Sequence, residues 1–171
     1  MDDRFKRGFL AGIVSGILAN VIDLLMGSMG LTTLRFVDWT GIVVLAHVPP
    51  YTFTETIFTF ISQIFFTAVI GVVFVYLLPL IKSKNLFLKS WFFSLLIWFT
   101  VDGITTLYKV EGTSPIPLKT GIANVISSTI FGLAMAQCLH MFEQAKATSP
   151  VMPQPAMKPL DPPKDEEDKL P

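Results

Sequence analysis

Residues 53–81 read FTETIFTFISQIFFTAVIGVVFVYLLPLI, and this stretch decides the fold class. No charged side chain occurs between Glu55 and Lys82. Because a bilayer requires about 20 apolar residues of α-helix, a stretch of this length predicts a spanning helix that can tilt or protrude. Pro79 lies near its end, where the loss of one helical hydrogen bond is tolerated.

Three further stretches have the same character, at residues 8–30, 86–108 and 120–142. The first exceeds the usual apolar core of a signal peptide, so we interpret it as an uncleaved membrane helix. None of them shows the period-two alternation that is typical of membrane β-barrels. The sequence therefore predicts an all-α, polytopic membrane protein with four transmembrane helices.

The composition agrees with this fold class, because 51% of the 171 residues are hydrophobic and only 15% are charged. A soluble domain is about a quarter charged. The formal net charge is zero, which gives no indication of a nucleic-acid partner. The single cysteine, Cys138, cannot form an internal disulfide and is interpreted as a packing residue. We predict no cofactor.

The segments outside the four spans also have distinct characters. Residues 37–47 are apolar but too few to cross the bilayer, so we predict a short interfacial or re-entrant helix between the first and second spans. Residues 143–171 are rich in proline and charge and predict a disordered tail. Residues 1–7 form the N-terminal segment.

Positive charges predict the orientation, because lysine and arginine favour the cytoplasmic side of a membrane. Ten of the thirteen fall in the N-terminal segment, the loop between the second and third spans, and the tail. The other side carries only Arg35, Lys109 and Lys119. We therefore expect both termini to be cytoplasmic and the membrane to be the bacterial cell membrane.

Polar and small residues inside the spans are the candidate functional residues. Gly8, Gly12 and Gly16 recur every four residues and predict a stripe where another helix approaches closely. Buried ionisable groups in lipid usually face the bundle interior. The topology places one candidate polar cluster in the outer half of the membrane: Asn20, Asp23, Gln63, Asp102 and Asn124.

Two interpretations of this cluster remain open. Polar contacts between helices ordinarily hold a bundle together. If Asp23 and Asp102 lie close to each other, they could instead bind protons or cations. Whether the two aspartates are neighbours depends on the lateral order of the helices, which the sequence does not give.

The sequence gives little indication of catalysis. His47 and His140 are expected on opposite sides of the membrane, which argues against a haem or metal site between them. No Gly-x-Ser-x-Gly, phosphate-binding loop or His-Glu-x-x-His motif occurs. We therefore expect a protein that is not an enzyme and that holds no metal.

Several segments resemble a family of small four-helix membrane proteins from anaerobic Gram-positive bacteria, to which no activity is assigned. The likeness covers about residues 5–142 and involves KRGFLAG at 6–12, Asp38-Trp39, His47-x-Pro49, and the region from Thr105 to Leu118. It implies a membrane location and four spans, and it implies no mechanism.

Three functions follow as hypotheses. The first is a non-enzymatic structural or accessory subunit of a membrane complex, with a membrane-protein partner or a second copy of this chain. The second is a small oligomeric transporter or channel that uses Asp23 and Asp102. The weakest is a lipid-acting membrane enzyme that uses Asp23, Asp102 or His47.

Overall fold

The computed structural model describes residues 3–148, with side chains described through residue 145. All regular structure in this part of the chain is helical. The helices are α1 (Arg4–Ser28), α2 (Phe36–Leu45), α3 (Phe53–Leu77), α4 (Leu86–Leu107) and α5 (Leu118–Thr148). A 3₁₀ turn, Leu78–Leu80, extends α3. By length and apolar composition α1, α3, α4 and α5 can each cross a membrane, so the chain is a multi-pass membrane protein.

The predicted fold class is confirmed, and two boundaries differ in informative ways. The short helix α2 lies between the first two spans, as predicted, and ends where Ala46 adopts a left-handed backbone (φ 58°). The last helix continues past residue 142 to Thr148, so residues 143–148 are helical rather than part of a disordered tail. Residues 149–171, the rest of the predicted tail, lie outside the described residues.

Side chains at the helix N-termini accept hydrogen bonds from the free backbone N–H groups of the first turn. Asp3 accepts from the backbone N–H of Lys6 at 2.9 Å, and Asn85 accepts from that of Leu88 at 3.1 Å. At α3, Thr52 and Glu55 cap each other reciprocally. These local signals explain where α1, α3 and α4 begin.

Helix α1 lies at the centre of the bundle and packs along both α3 and α5. The glycine stripe faces α3: a Cβ atom added to Gly8 would stand 2.7 Å from the carbonyl oxygen of Gly71, and one on Gly12 would stand 2.8 Å from the Cα of Ala68. Such contacts are possible only where both helices present small residues. The stripe therefore sets the distance between α1 and α3.

The two ends of the bundle are built differently. At the end that holds the start of α1, apolar side chains fill the core, and the rings of Phe74 and Phe93 lie 5.1 Å apart. At the opposite end, polar contacts join the segments, and the Thr33 backbone N–H donates to the Thr120 hydroxyl at 3.0 Å. Helix α2 lies at this polar end, where it contacts α3 and the end of α1.

Candidate functional site

A cavity of about 640 Å³ lies between α1, α2 and α3 at the polar end of the bundle. Its volume falls within the range of about 300–1,000 Å³ that is typical of small-molecule sites. Its polar lining consists of Asn20, Asp23, Arg35, Asp38, Tyr51, Thr56 and Thr59. Its apolar lining consists of Leu24, Val37, Pro49, Pro50, Ile57, Phe60 and Ile61.

Asp23 is the most deeply buried ionisable group that lines this cavity, with 1% of its surface exposed. Its Oδ2 atom accepts a hydrogen bond of 2.6 Å from the backbone N–H of Phe36, the first residue of α2. The Asp23 carboxylate of α1 thus caps the N-terminus of α2, where the helix dipole favours negative charge. Its Oδ1 atom is also buried and has no hydrogen-bond partner. One oxygen of Asp23 therefore has a structural role, and the other is buried without a hydrogen-bond partner among the described residues.

Arg35 and Asp38 form a two-point ion pair at the same wall. The Nε and Nη2 atoms of Arg35 donate to the two carboxylate oxygens of Asp38 at 2.7 and 2.8 Å. Asp38 also accepts from the Arg35 backbone N–H at 3.2 Å. The hydrogen bonds to Asp38 raise the pKa of the Arg35 guanidinium above its ordinary value. These hydrogen bonds hold the two side chains in place, and the pair carries no net charge.

Most other polar groups of the wall already donate their protons within the chain. The Asn20 amide donates to the carbonyl of Gly16 at 2.9 Å. The hydroxyls of Thr56 and Thr59 donate to backbone carbonyls one turn earlier, at 2.9 and 3.0 Å. Each of these oxygens keeps lone pairs that can accept a further hydrogen bond.

Tyr51, in the segment between α2 and α3, also lines the cavity. Its hydroxyl lies within hydrogen-bond distance of the carbonyl oxygens of Asp38 and His47, at 3.1 and 3.3 Å. Its ring packs against Gly41, where a Cβ atom would collide with it. Burial, and to a lesser extent the charges of Asp38 and Glu55, raises the pKa of the Tyr51 phenol. Tyr51 therefore fixes the position of α2 and stays neutral under ordinary conditions.

The five residues of the predicted polar cluster separate into three places. Asn20 and Asp23 line the polar cavity. Gln63 accepts a short hydrogen bond from Thr40 and lines an apolar crevice of about 60 Å³ nearer the middle of the bundle, where Asn20 also contributes. Asp102 of α4 lies beside Trp98 of the same helix and Asn124 of α5.

The two aspartates share none of these interactions. The charges and hydrogen bonds that act on Asp23 come from Phe36, Asp38 and Arg35, all in or next to α2. Those that act on Asp102 come from α4 and α5. The structure thus does not bring the two carboxylates into one site, because α2 occupies the space beside Asp23.

Five polar residues that line the cavity are not indicated as site residues by the sequence: Arg35, Asp38, Tyr51, Thr56 and Thr59. Arg35 and Asp38 do have a local signal, because an acid three residues after a basic residue at the start of an apolar helix is a recognisable pair. Tyr51 and Thr59 have no such signal, since only the approach of α2 to α3 brings them to one wall.

Neither histidine lines the cavity, although the ring of His47 lies 5.3 Å from that of Tyr51, which does. His47 is exposed, and its Nε2 atom lies 3.3 Å from Glu55. His140 lies near Phe87 at the other end of the bundle, with 6.4 Å between the ring centres. Within the described part of the chain, no three His, Cys, Asp or Glu residues are placed to hold a metal ion.

The helices and the cavity together define the class: a multi-pass α-helical membrane protein with a polar, ligand-sized cavity at one end of the bundle. Comparison with family models, curated proteins and solved structures found no match to this chain.

Proposed function

We propose that this protein is a non-enzymatic accessory subunit of a bacterial cell-membrane complex and that its own contribution is to bind a small ligand in the cavity between α1, α2 and α3. The observation that carries the proposal is the Oδ1 atom of Asp23, which is buried at the cavity wall and has no partner. Buried polar atoms are nearly always hydrogen-bonded, and an exception calls for a functional explanation.

Capping alone does not require a carboxylate at position 23. An asparagine oxygen could equally accept the hydrogen bond from the Phe36 N–H, and asparagine is as good a capping residue as aspartate. The negative charge and the second oxygen of Asp23 are therefore not required for the capping of α2. A ligand that engages Oδ1 accounts for both.

The lining of the cavity supports binding rather than catalysis. The hydroxyls of Tyr51, Thr56 and Thr59 are committed to backbone carbonyls. No histidine is among the described residues that line the cavity. A nucleophile needs an adjacent base to activate it, and the wall offers no such pair.

Helix α4 supports the role of a subunit. Only 17% of its most apolar stretch is buried, compared with 50% for α5. Gly103 lies on its exposed side, and a Cβ atom there would meet nothing within 4 Å, so packing within this chain does not explain the glycine. Small residues at exposed positions of a membrane helix are typical of contacts with a further helix.

The distribution of charge supports a cytoplasmic location for both termini. Arg4, Lys6 and Arg7 lie at the same end of the bundle as Lys82 and Lys84. The positive-inside rule assigns this end to the cytoplasm. A C-terminal fusion to green fluorescent protein should fluoresce, and a C-terminal alkaline phosphatase fusion should be inactive; the reverse pattern would invert the orientation.

The proposed function is tested by purifying the full chain from its native membranes in a mild detergent and identifying all bound molecules by mass spectrometry. We expect a membrane-protein partner and a small molecule, and the small molecule should be lost from Asp23→Asn. The control is Asp102→Asn, which removes the same charge from a different cluster. If both variants retain the same molecules as the wild type, the cavity has no ligand-binding role.

A second candidate function is an oligomeric transporter whose pathway passes the Asp23 cavity. Asp23 is the observation that favours it, because an acid of this burial in a membrane helix is typical of ion or solute pathways. Four helices leave little space for a pathway in one chain, so this function requires several copies. Flux in liposomes that Asp23→Asn abolishes and Asp102→Asn leaves intact would favour it over the accessory role.

A further inference from the structure

The geometry points to a protonated primary amine that carries an apolar chain as the ligand of the Asp23 cavity, entering from the plane of the membrane. This inference rests on the proposed binding function and adds the chemical class of the ligand.

The part of the wall around Asp23 offers mainly acceptor atoms to a ligand. The hydroxyls of Thr56 and Thr59 and one amide N–H of Asn20 donate within the chain. The Asp23 Oδ1 atom and the lone pairs of these side-chain oxygens remain as acceptors, whereas the free N–H donors of the wall are the second Asn20 hydrogen and the remaining guanidinium hydrogens of Arg35. An ammonium group supplies several hydrogens from one small centre and can satisfy the acceptors around Asp23.

The charges at the wall favour the same ligand. The Arg35 guanidinium is matched by the Asp38 carboxylate in a two-point contact, so the pair contributes no net charge. The ionised form of Asp23 then has no counterion of its own among the described residues that line the cavity, in a site that is largely shielded from water. A buried charge is stable only when it is paired, and a ligand cation would provide the pairing.

The apolar residues of the wall indicate where the apolar chain of the ligand lies. Leu24, Ile57 and Ile61 line the cavity and are also exposed on the outer surfaces of α1 and α3, which face hydrocarbon in a membrane. The cavity therefore has an apolar side that is continuous with the lipid-facing surfaces of α1 and α3. Asp23 lies five residues before the end of α1, about 8 Å along the helix axis, which places it near the boundary between headgroups and acyl chains.

Two sources share this chemistry: the headgroup of an aminophospholipid and a free amphipathic amine. The Arg35 side chain is 37% exposed and keeps N–H groups that Asp38 does not use, so it could also meet a phosphate. Both sources contain the amine, and only the aminophospholipid also contains a phosphate.

The test uses the full-length protein in a mild detergent and native mass spectrometry to measure the affinity of added lipids. The lipids are phosphatidylethanolamine, phosphatidylcholine and phosphatidylglycerol with the same acyl chains. We expect phosphatidylethanolamine to bind at least about tenfold more tightly than the other two, because a charge-assisted hydrogen bond to Asp23 requires N–H donors that a quaternary ammonium lacks. Equal binding of phosphatidylethanolamine and phosphatidylcholine to the wild type excludes the aminophospholipid headgroup as the source, and the inference then depends on the free-amine probes.

A second pair of probes separates the sources. Dodecylamine should bind more tightly than dodecyltrimethylammonium if the amine alone suffices. Preference for phosphatidylethanolamine without preference for dodecylamine identifies the lipid headgroup; the opposite result identifies a free amine. If neither pair shows a preference for the primary amine, the ligand belongs to another class.

Variants connect the preference to the cavity. Asp23→Asn should reduce the affinity for phosphatidylethanolamine to that for phosphatidylcholine, and Asp102→Asn should leave it unchanged. An amine preference that survives Asp23→Asn overturns the inference. If the native-membrane preparation instead yields an anionic or neutral molecule whose binding depends on Asp23, the proposed binding function stands and only the ligand class fails.

Discussion

Gly12 of α1 and Gly71 of α3 lie in direct backbone contact: a Cβ atom built on Gly71 would stand 2.8 Å from both the Cα and the backbone nitrogen of Gly12. Real side chains do not approach backbone atoms so closely. The two helices can keep this separation only while both positions lack a side chain, and this close approach sets the spacing of α1 and α3 towards the apolar end of the bundle.

The substitution Gly71→Ala should therefore destabilise the bundle. In an open helix, alanine is more favourable than glycine by up to about 1 kcal/mol. Here we expect the opposite sign, because overpacking of a tight contact costs about 1–3 kcal/mol. Thermal unfolding in detergent measures the change. The matched control is Gly103→Ala, where nothing lies within 4 Å of the added methyl group, and this variant should be as stable as the wild type or more so. Equal loss in both variants would contradict the packing argument.

Removal of the Asp23 carboxylate should loosen α2. In Asp23→Ala the partly buried N–H of Phe36 loses its acceptor, which costs about 1 kcal/mol or more. Asp23→Asn keeps an oxygen for this hydrogen bond and should stay near the wild type in stability. Hydrogen–deuterium exchange of peptides that cover residues 36–45 measures the effect. Exchange should rise in Asp23→Ala and stay low in Asp102→Ala; unchanged exchange in both would mean that Asp23 does not anchor α2.

The Arg35–Asp38 pair should show strong coupling in a double-mutant cycle. Arg35→Gln leaves the buried Asp38 carboxylate without its main partner, and we expect a loss of about 1–3 kcal/mol. Adding Asp38→Asn to Arg35→Gln should recover part of this lost stability, because a neutral amide at position 38 costs less to bury without a partner than a carboxylate does. The free energies of unfolding of the two single variants and the double variant give the coupling energy. Additive losses would show that the two side chains act independently.

Tyr51 should make the stability of the protein sensitive to alkaline pH. Burial raises the pKa of its phenol above the ordinary value of 10.0, so the folded state holds this proton more tightly than the unfolded state. The corresponding stabilisation is fully present below pH 10 and is lost as the pH rises through the higher pKa of the folded state.

The measurement for Tyr51 is the fall in melting temperature between about pH 9 and pH 11. Tyr51→Phe should be less stable at neutral pH, because it loses the hydroxyl contacts to Asp38 and His47. Its alkaline decline should be smaller than that of the wild type. An identical decline would assign the alkaline sensitivity to other groups.

Much of the fold is predictable because its signals are local. The absence of charge from residues 56–81 and the capping pair of Thr52 and Glu55 both lie within one stretch of sequence. The apolar length of residues 37–47 is similarly local and correctly predicts α2. The end of the last helix is the exception, because charged residues after 142 resemble a tail although the helix continues to Thr148.

The candidate site is predictable only in part. Asn20 and Asp23 are visible as polar residues on an apolar helix, but Arg35, Asp38 and Tyr51 join them through the position of α2. The sequence equally allowed Asp23 to face Asp102. The structure instead places the N-terminus of α2 against Asp23 and leaves Asp102 beside Asn124.

The sequence by itself determined that this chain crosses a membrane four times, with a short helix between the first two spans, because the energy of transferring apolar and charged residues into lipid depends on local composition. The tertiary structure alone decided which polar groups meet and which oxygen of Asp23 remains open. Lateral packing of membrane helices depends on close fit and individual hydrogen bonds rather than on hydrophobicity, since lipid is as apolar as the helix surfaces themselves.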